Sequence, residues 1–370
     1  MNILIIRNAY QKDTGGAEQY AYNFGLAFKK AGHEPFVVTK HKAILDKCKL
    51  KQIKTIKGLW YEKQSWDRLY YLRALYTSAW YIYVIISKKI DIVHPQSRDD
   101  FVFATWAARI LRKNVFWTDH GDLKFLLDRK NHPHPRMQKW LLACANYTRK
   151  IICTSDSEKQ KIIEVASELK GKLTTIHNGV FPIYAPVPAH KTKPVIGAIS
   201  RLVPDKGIKE ILEAFSKLVN FDGELWLVGS LSGNGEIYKS LATKLGVANR
   251  VRFVGYVNNS DNYLAQMDYF VHASYHESFG IAVAEACMAG LPIVATNVGG
   301  IPEIVESNVC GLLVPPKNSA LLTEALQELI SNSELASKLG QNAKKRAIEN
   351  FDFQKIVEEQ IIPLYKEALK

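Results

Sequence analysis

The chain has 370 residues, 47% of them hydrophobic and 23% charged, with 49 Lys and Arg against 36 Asp and Glu for a formal charge of +13. This composition excludes a disordered chain and leaves room for two domains of ordinary size. The five cysteines (Cys48, Cys144, Cys153, Cys287 and Cys310) show no Cys-x-x-Cys spacing, and they read as reduced thiols in a cytoplasmic protein without structural metal.

Met1 to Arg7 is a short apolar run closing on a charge. That predicts a buried strand, because a signal peptide needs a basic start and a longer apolar core. Further strands are predicted at Phe36–Thr39, Asp91–His94, Val115–Thr118, Ile151–Thr154 and Leu173–Ile176, with helices between them that include Ala17–Lys30 and Phe101–Leu111. Alternation of this kind implies a parallel sheet covered by helices. Four prolines then fall within the fourteen residues from Phe181 to Pro194 (Pro182, Pro186, Pro188, Pro194). Such a stretch forms neither helix nor central strand and marks a linker.

A second alternating series follows. Its strands are Val195–Ile199, Leu225–Val228, Val251–Val254, Tyr269–His272, Ile293–Ala295 and Leu312–Val314, with helices at Ile208–Leu218, Tyr238–Leu245 and Ile281–Ala289. Two such α/β domains are expected to present a ligand cleft at the carboxyl ends of their strands. The longest later apolar stretch, Trp80 to Ile86, is too short to span a bilayer.

Charge is unevenly placed. Residues 1–180 hold 31 Lys and Arg against 16 Asp and Glu, and residues 181–370 hold 18 against 20. The excess in the first half suggests an anionic partner there, either nucleic acid or a membrane surface, or else simply a solvated basic face. Trp60 to Lys89 adds nine Trp and Tyr residues interspersed with Lys63, Arg68, Arg73, Lys88 and Lys89. Aromatic and basic residues together suit a membrane interface, an acceptor groove or plain packing. No nucleic-acid module signature accompanies them, so no nucleic-acid partner is expected.

Several strand-to-helix turns carry residues fit for chemistry. Gly15 and Gly16 precede a helix and allow a diphosphate close to the backbone at a helix N-terminus. Without Gly-x-Gly-x-x-Gly spacing they do not make a dinucleotide fingerprint. Arg201 and Lys206 follow a strand and can clamp two phosphates of a leaving group. Glu277 and Glu285 stand a little over two helical turns apart, one ahead of a helix and one inside it, with Gly280 opening that helix. Carboxylates beside exposed amides suit a phosphorylated sugar, whereas the plain reading is a buried helix with a surface Glu at each end. His120 lies in Asp119-His120-Gly121-Asp122, where Asp119 and Asp122 are placed to orient its imidazole. No metal pattern is evident: Asp99-Asp100 reads as a helix start, and His132 and His134 alternate with prolines in a loop.

The stretch from Glu277 to Glu285, with Ser278-Phe279-Gly280 after the first Glu, resembles the Glu-x7-Glu motif of family 4 of the retaining, nucleotide-sugar-dependent glycosyltransferases. Gly15-Gly16-Ala17-Glu18, Asn178-Gly179-Val180, Ser200 to Gly207 and Gly299 to Glu303 match other motifs of that family in order and spacing. The resemblance covers nearly the whole chain. It implies the GT-B architecture, two Rossmann-like domains facing across a cleft. The expected divisions are an acceptor-binding domain at 1–185, a nucleotide-sugar domain at 186–350, and a C-terminal helix over 351–370 crossing back to the first domain.

The resemblance also implies roles. Glu285 binds the ribose hydroxyls of the donor, and Glu277 and His120 face the donor sugar. Ser278 and the amides of Phe279, Gly280 and Ile281 support sugar and phosphate, and Tyr256 lies near the base. The implied activity is transfer from a UDP- or GDP-sugar to a lipid-linked or cell-envelope glycan acceptor. The anomeric configuration is retained, no cofactor or metal is needed, and the enzyme is peripheral on the inner face of the membrane. The alternatives are a phosphate-dependent glycoside phosphorylase on the same fold and a partner protein that binds glycan without catalysis.

Overall fold

A computed structural model of the chain describes residues 1–8, 16–59, 70–128, 135–183, 193–231 and 233–370. Gly15, His132, His134, most of the proline-rich linker and the start of the Trp60–Lys89 segment lie outside the described residues. The chain divides into two compact units, Met1–Asn178 with Phe353–Lys370, and Gly179–Asp352.

The first unit is built on seven parallel strands: β1 (Asn2–Ile6), β2 (Glu34–Thr39), β3 (Lys54–Lys57), β4 (Ile92–Pro95), β5 (Asn114–Asp119), β6 (Lys150–Cys153) and β7 (Leu173–Thr175). Their spatial order is β3-β2-β1-β4-β5-β6-β7. Its helices are α1 (Gly16–Lys30), α2 (Lys42–Leu50), α3 (Tyr70–Ser87), α4 (Arg98–Ile110), α5 (Leu123–Leu127), α6 (Pro135–Tyr147) and α7 (Asp156–Val165). Ile3 to Ile6 are fully buried, as expected of a strand covered on both faces. β3 was not legible as a strand: Lys-Thr-Ile-Lys is polar and largely exposed, the composition of a protected sheet edge.

The second unit repeats the plan with β8 (Val195–Ile199), β9 (Glu224–Val228), β10 (Val251–Gly255), β11 (Tyr269–His272), β12 (Ile293–Thr296) and β13 (Leu312–Val314), in the order β10-β9-β8-β11-β12-β13. Its helices are α8 (Ile208–Ser216), α9 (Gly235–Lys244), α10 (Asp261–Leu264), α11 (Ile281–Ala289), α12 (Ile301–Ile304), α13 (Ser319–Ser331) and α14 (Ser333–Asn350). In each sheet the strand order reverses once, between β1 and β4 and between β8 and β11. Ligands of open α/β sheets collect outside the carboxyl ends of the strands at that reversal.

The chain then returns to the first unit through α15 (Phe353–Ile356) and α16 (Ile362–Leu369), joined by a π-helical turn at Val357–Ile361. Pro363 explains the turn, since it cannot donate to the preceding helical turn. Tyr365 is fully buried, stacks on Phe28 at 5.5 Å and hydrogen-bonds His94 Nδ1. The other ring nitrogen of His94 lies 2.7 Å from Thr118 Oγ1. Burial pushes the His94 pKa down to about 3, so the imidazole is neutral, with one ring nitrogen accepting and the other donating.

Candidate functional site

The second unit brings Lys206 and Glu277 together at its strand reversal. β8 and β11 are neighbours, so the loops leaving their carboxyl ends meet even though Lys206 and Glu277 are far apart in sequence. Tyr275 N–H donates to Asp205 C=O at 2.8 Å and ties the loops to each other. Gly207, at φ +64, lies against the Ala273 carbonyl, where a Cβ would come within 2.1 Å of the oxygen. Gly299, at φ +54, would place a Cβ 1.7 Å from the Glu277 carbonyl oxygen. Only glycine permits these two approaches.

Lys206 Nζ donates to Glu277 Oε2 at 2.7 Å, with the two side chains 14% and 18% exposed. His272 Nε2 lies 3.2 Å from the same oxygen and 2.9 Å from Ser274 Oγ. Burial alone would raise the Glu277 pKa, but the hydrogen bond from His272 and the charge of Lys206 outweigh it and hold it at about 2. The carboxylate is therefore ionised at neutral pH. Arg201, in the loop that leaves β8, is exposed, and its guanidinium has no partner among the described residues. One cation is thus held by a carboxylate at the reversal, and a second faces solvent.

The remaining predicted residues of this unit take separate places. Gly280, at φ +110, precedes α11, and Ser278 and Ile281 are half-buried on either side of it. The Phe279 side chain is buried against Phe351, with ring centroids 5.7 Å apart, so only its backbone is placed to meet a ligand. Glu285 lies within α11, half-buried, and accepts from Ser260 Oγ at 3.3 Å. Tyr256 follows β10 and is 45% exposed.

In the first unit, Gly16 is the first residue of α1. His120 follows β5, with its ring edge-on to Tyr20 at 4.9 Å. Its Nε2 is buried and lacks a hydrogen-bond partner among the described residues. Burial, with Arg7 and His94 nearby, pushes its pKa well below the usual value. The expectation that Asp119 and Asp122 orient this imidazole is corrected. Asp119 Oδ1 accepts the amides of Asp122 and Leu123 at 3.0 and 2.9 Å, and Asp122 pairs with Arg98 at 3.5 Å. Burial, then the neighbouring charge of Asp122, raises the Asp119 pKa to about 7, and its Oδ2 has no partner among the described residues.

Sequence reasoning missed a second cluster in this unit. At the β1/β4 reversal Arg7 forms a buried ion pair with Glu18 at 2.9 Å and donates to the Gln96 carbonyl at 2.6 Å. Asn8 N–H donates to Asp100 Oδ2 at 3.2 Å, Tyr81 OH donates to Asp100 Oδ1 at 2.6 Å, and Ser97 Oγ also donates to Asp100. It also missed His272. The available signal was a histidine at the carboxyl end of an otherwise apolar strand. No group of three or more potential metal ligands occurs among the described residues.

The family model described as Glycosyltransferase Family 4 matches residues 14–182, and the model described as Glycosyl transferases group 1 matches residues 183–346. The capsular polysaccharide biosynthesis glycosyltransferase CapM of Staphylococcus aureus is 28% identical over 63% of this chain and 65% of its own length. An uncharacterized glycosyltransferase of Methanocaldococcus jannaschii is 26% identical over 60% of each chain. The match thus spans less than two thirds of the length of these curated relatives. One component of the human phosphatidylinositol N-acetylglucosaminyltransferase is 25% identical over 89% of this chain and 68% of its own. Among solved structures, Anabaena Alr3699/HepE, determined with UDP and glucose, superposes with a TM-score of 0.82 at 22% identity, covering 99% of this chain and 100% of that one. That likeness shows the shared GT-B fold.

Proposed function

The chain belongs to glycosyltransferase family 4, and from that premise we propose that it moves a sugar from a UDP- or GDP-sugar to a lipid-linked or cell-envelope glycan acceptor with retention of configuration. The observation that carries this reading is the Lys206–Glu277 pair at the β8/β11 reversal, with Arg201 exposed in the same loop as Lys206. An arriving diphosphate gives the Lys206 ammonium and the Arg201 guanidinium a second anion to bind. Glu277, ionised and held by His272, is then placed to accept hydrogen bonds from sugar hydroxyls. Glu285 is assigned to the ribose hydroxyls, Tyr256 to the base, and the turn at Ser278–Ile281 to the sugar and phosphate. Gly15 and Gly16 are assigned to the diphosphate, and His120 to the sugar.

The departing phosphate oxygen would take the acceptor's proton on the face it leaves, while the two cations stabilise its charge. No step in this scheme calls on a metal, so activity is expected to survive EDTA. Loss on chelation, restored by Mg²⁺ or Mn²⁺, would refute that part. The acceptor class is drawn from the relatives' names in capsular and lipid-glycan synthesis. A thermal-shift panel of nucleotides and nucleotide sugars tests the whole reading, since ligand that binds only the folded state raises the melting temperature with the logarithm of saturation. Stabilisation by a nucleoside diphosphate and its sugar supports it. Stabilisation by inorganic phosphate with none by any nucleotide would instead fit a phosphorylase.

A further inference from the structure

Tyr275 stands two residues ahead of Glu277, and Glu210 stands four residues after Lys206, in the first turn of α8. The Tyr275 hydroxyl donates to Glu210 Oε1 at 2.7 Å. Burial, then the hydrogen bond to this carboxylate, pushes the Tyr275 pKa up, so the phenol keeps its proton and stays the donor. The loop after β11 is thus tied to the segment from Asp205 to Glu210 by Lys206 on Glu277, by the Tyr275 amide on the Asp205 carbonyl, and by the Tyr275 hydroxyl on Glu210. Neighbouring strands hold the same loop. Thr296 Oγ1, on β12, donates to the Ser274 carbonyl at 2.7 Å, and Lys317, past β13, places its Nζ 4.9 Å from the centre of the Tyr275 ring.

The helix itself does not account for Glu210. A Glu at the third helical position commonly reaches back to the amide of the residue that caps the helix. Here that residue is Gly207, and its N–H donates to the Pro204 carbonyl instead. Glu210 is 8% exposed, and its Oε2 is buried with no hydrogen-bond partner among the described residues. A buried carboxylate with one oxygen unused costs stability that an apolar side chain in its place would not. The same helix carries another carboxylate, Glu213, which pairs at 3.7 Å with the exposed Lys209. An inward Glu that serves neither the helix nor the core, and meets the loop of Glu277, points to a task in the site.

The ties differ in what a ligand does to them. The Lys206–Glu277 pair is made by the site itself, and under the proposed function it opens as Lys206 turns to a diphosphate. The Tyr275–Glu210 bond uses no group assigned to the donor, so it persists. We propose that Tyr275 and Glu210 are positioning residues, a strut that keeps the Glu277 loop in register with the Lys206 loop while that pair is open. The consequence for donor binding rests on the proposed function. The coupling between the two ties does not.

Two measurements on the full chain separate these. The first uses no ligand: hydrogen exchange is followed by NMR at the Tyr275 amide, whose bond to Asp205 reports the register of the loops. Lys206→Ala and Tyr275→Phe each leave one side-chain tie in place and are expected to speed exchange modestly. Combined, they should speed it at least about tenfold beyond the product of the single effects, as expected of residues that share one network. A simple product of the two effects would overturn the proposal. The second measurement is calorimetric titration with UDP and with GDP. Tyr275→Phe and Glu210→Leu should weaken whichever nucleotide the native chain binds by about tenfold, the loss of one hydrogen bond to a charged group. Glu210→Gln keeps an oxygen that accepts from the phenol and should bind like the native chain. Unchanged affinity in Tyr275→Phe with a lowered melting temperature would make the bond merely structural and overturn the proposal, as would Glu210→Gln binding as weakly as Glu210→Leu. A native chain that binds neither nucleotide would refute the proposed donor, and the exchange measurement alone would then decide the strut.

Discussion

The two units reverse their strand order in the same way, yet the polar clusters at the two reversals are built for different ends. In the first, Arg7 and Glu18 are 6% and 1% exposed, and Arg7 spends a further donor on a backbone carbonyl. In the second, Lys206 and Glu277 remain partly open to solvent, and the loop that holds Lys206 also carries an exposed arginine, Arg201, without a partner among the described residues. A pair that is sealed and fully hydrogen-bonded fixes its loops. A pair that is accessible and shares one carboxylate oxygen with a histidine can exchange partners when a ligand arrives. The same topological position thus serves as a brace in one unit and as a candidate reaction site in the other.

The sharpest way to break this comparison is Glu18→Ala. It leaves the Arg7 guanidinium buried without its anion, a change that typically costs about 3–5 kcal/mol. Hydrogen exchange is expected to rise in β1, α1 and β4 while β8 and β11 stay protected. Equal loosening of both units, or none, would remove the distinction.

Asp119 offers the next largest effect, and its sign is opposite to that of most carboxylates. Its folded pKa of about 7 lies above the ordinary value of 3.8. Between those values the unfolded chain has released a proton that the folded chain keeps. Stability therefore falls as pH rises from about 4 to about 7, by up to roughly 4 kcal/mol. Asp119→Asn should flatten that slope in urea titrations at several pH values. An unchanged slope would mean that the carboxyl is ionised in the fold.

Arg201→Ala and Lys206→Ala test the second cluster directly. Loss of a cation facing developing phosphate charge typically costs about 2–4 kcal/mol of transition-state stabilisation. Turnover on the true donor should fall by that amount, while stability changes far less than in Glu18→Ala. Near-normal kcat/KM in both variants would take the cations out of the mechanism.

The parts of this arrangement differed in how plainly the sequence announced them. The strands of both sheets were legible because parallel strands covered on both faces are nearly unbroken apolar runs, as Ile3 to Ile6 and Val195 to Ile199 show. β3 was not, because an edge strand need not be apolar. Lys206 and Glu277 were each identifiable as candidates, but their contact was not, since it follows from β8 lying beside β11. The pairing of Arg7 with Glu18 went unnoticed for the same reason: it joins a strand end to a helix start. The aromatic and basic character of α3 was evident in one dimension. That its apolar residues point outward required knowing which side packs on α4.

The smallest expected effect separates His272 from a merely structural histidine. It lies on β11, 5% exposed, and shares Glu277 Oε2 with Lys206. Burial pushes the Glu277 carboxyl up, and the His272 hydrogen bond with the Lys206 charge brings it down to about 2. A depressed folded pKa gives stability that is complete above the ordinary value of 4.5 and is lost as pH falls toward 2. If Glu277 works as a carboxylate, activity follows the same limb. His272→Phe keeps the volume and removes the donor. One hydrogen bond to a charged group contributes about 1.5 kcal/mol, or roughly one pH unit. The acid limb of kcat/KM should therefore move up by about one unit, with kcat at neutral pH little changed. Asp119→Asn, in the other unit, should leave that limb where it is. A general fall in activity at every pH, with the limb unmoved, would show that His272 supports packing and not the charge of Glu277.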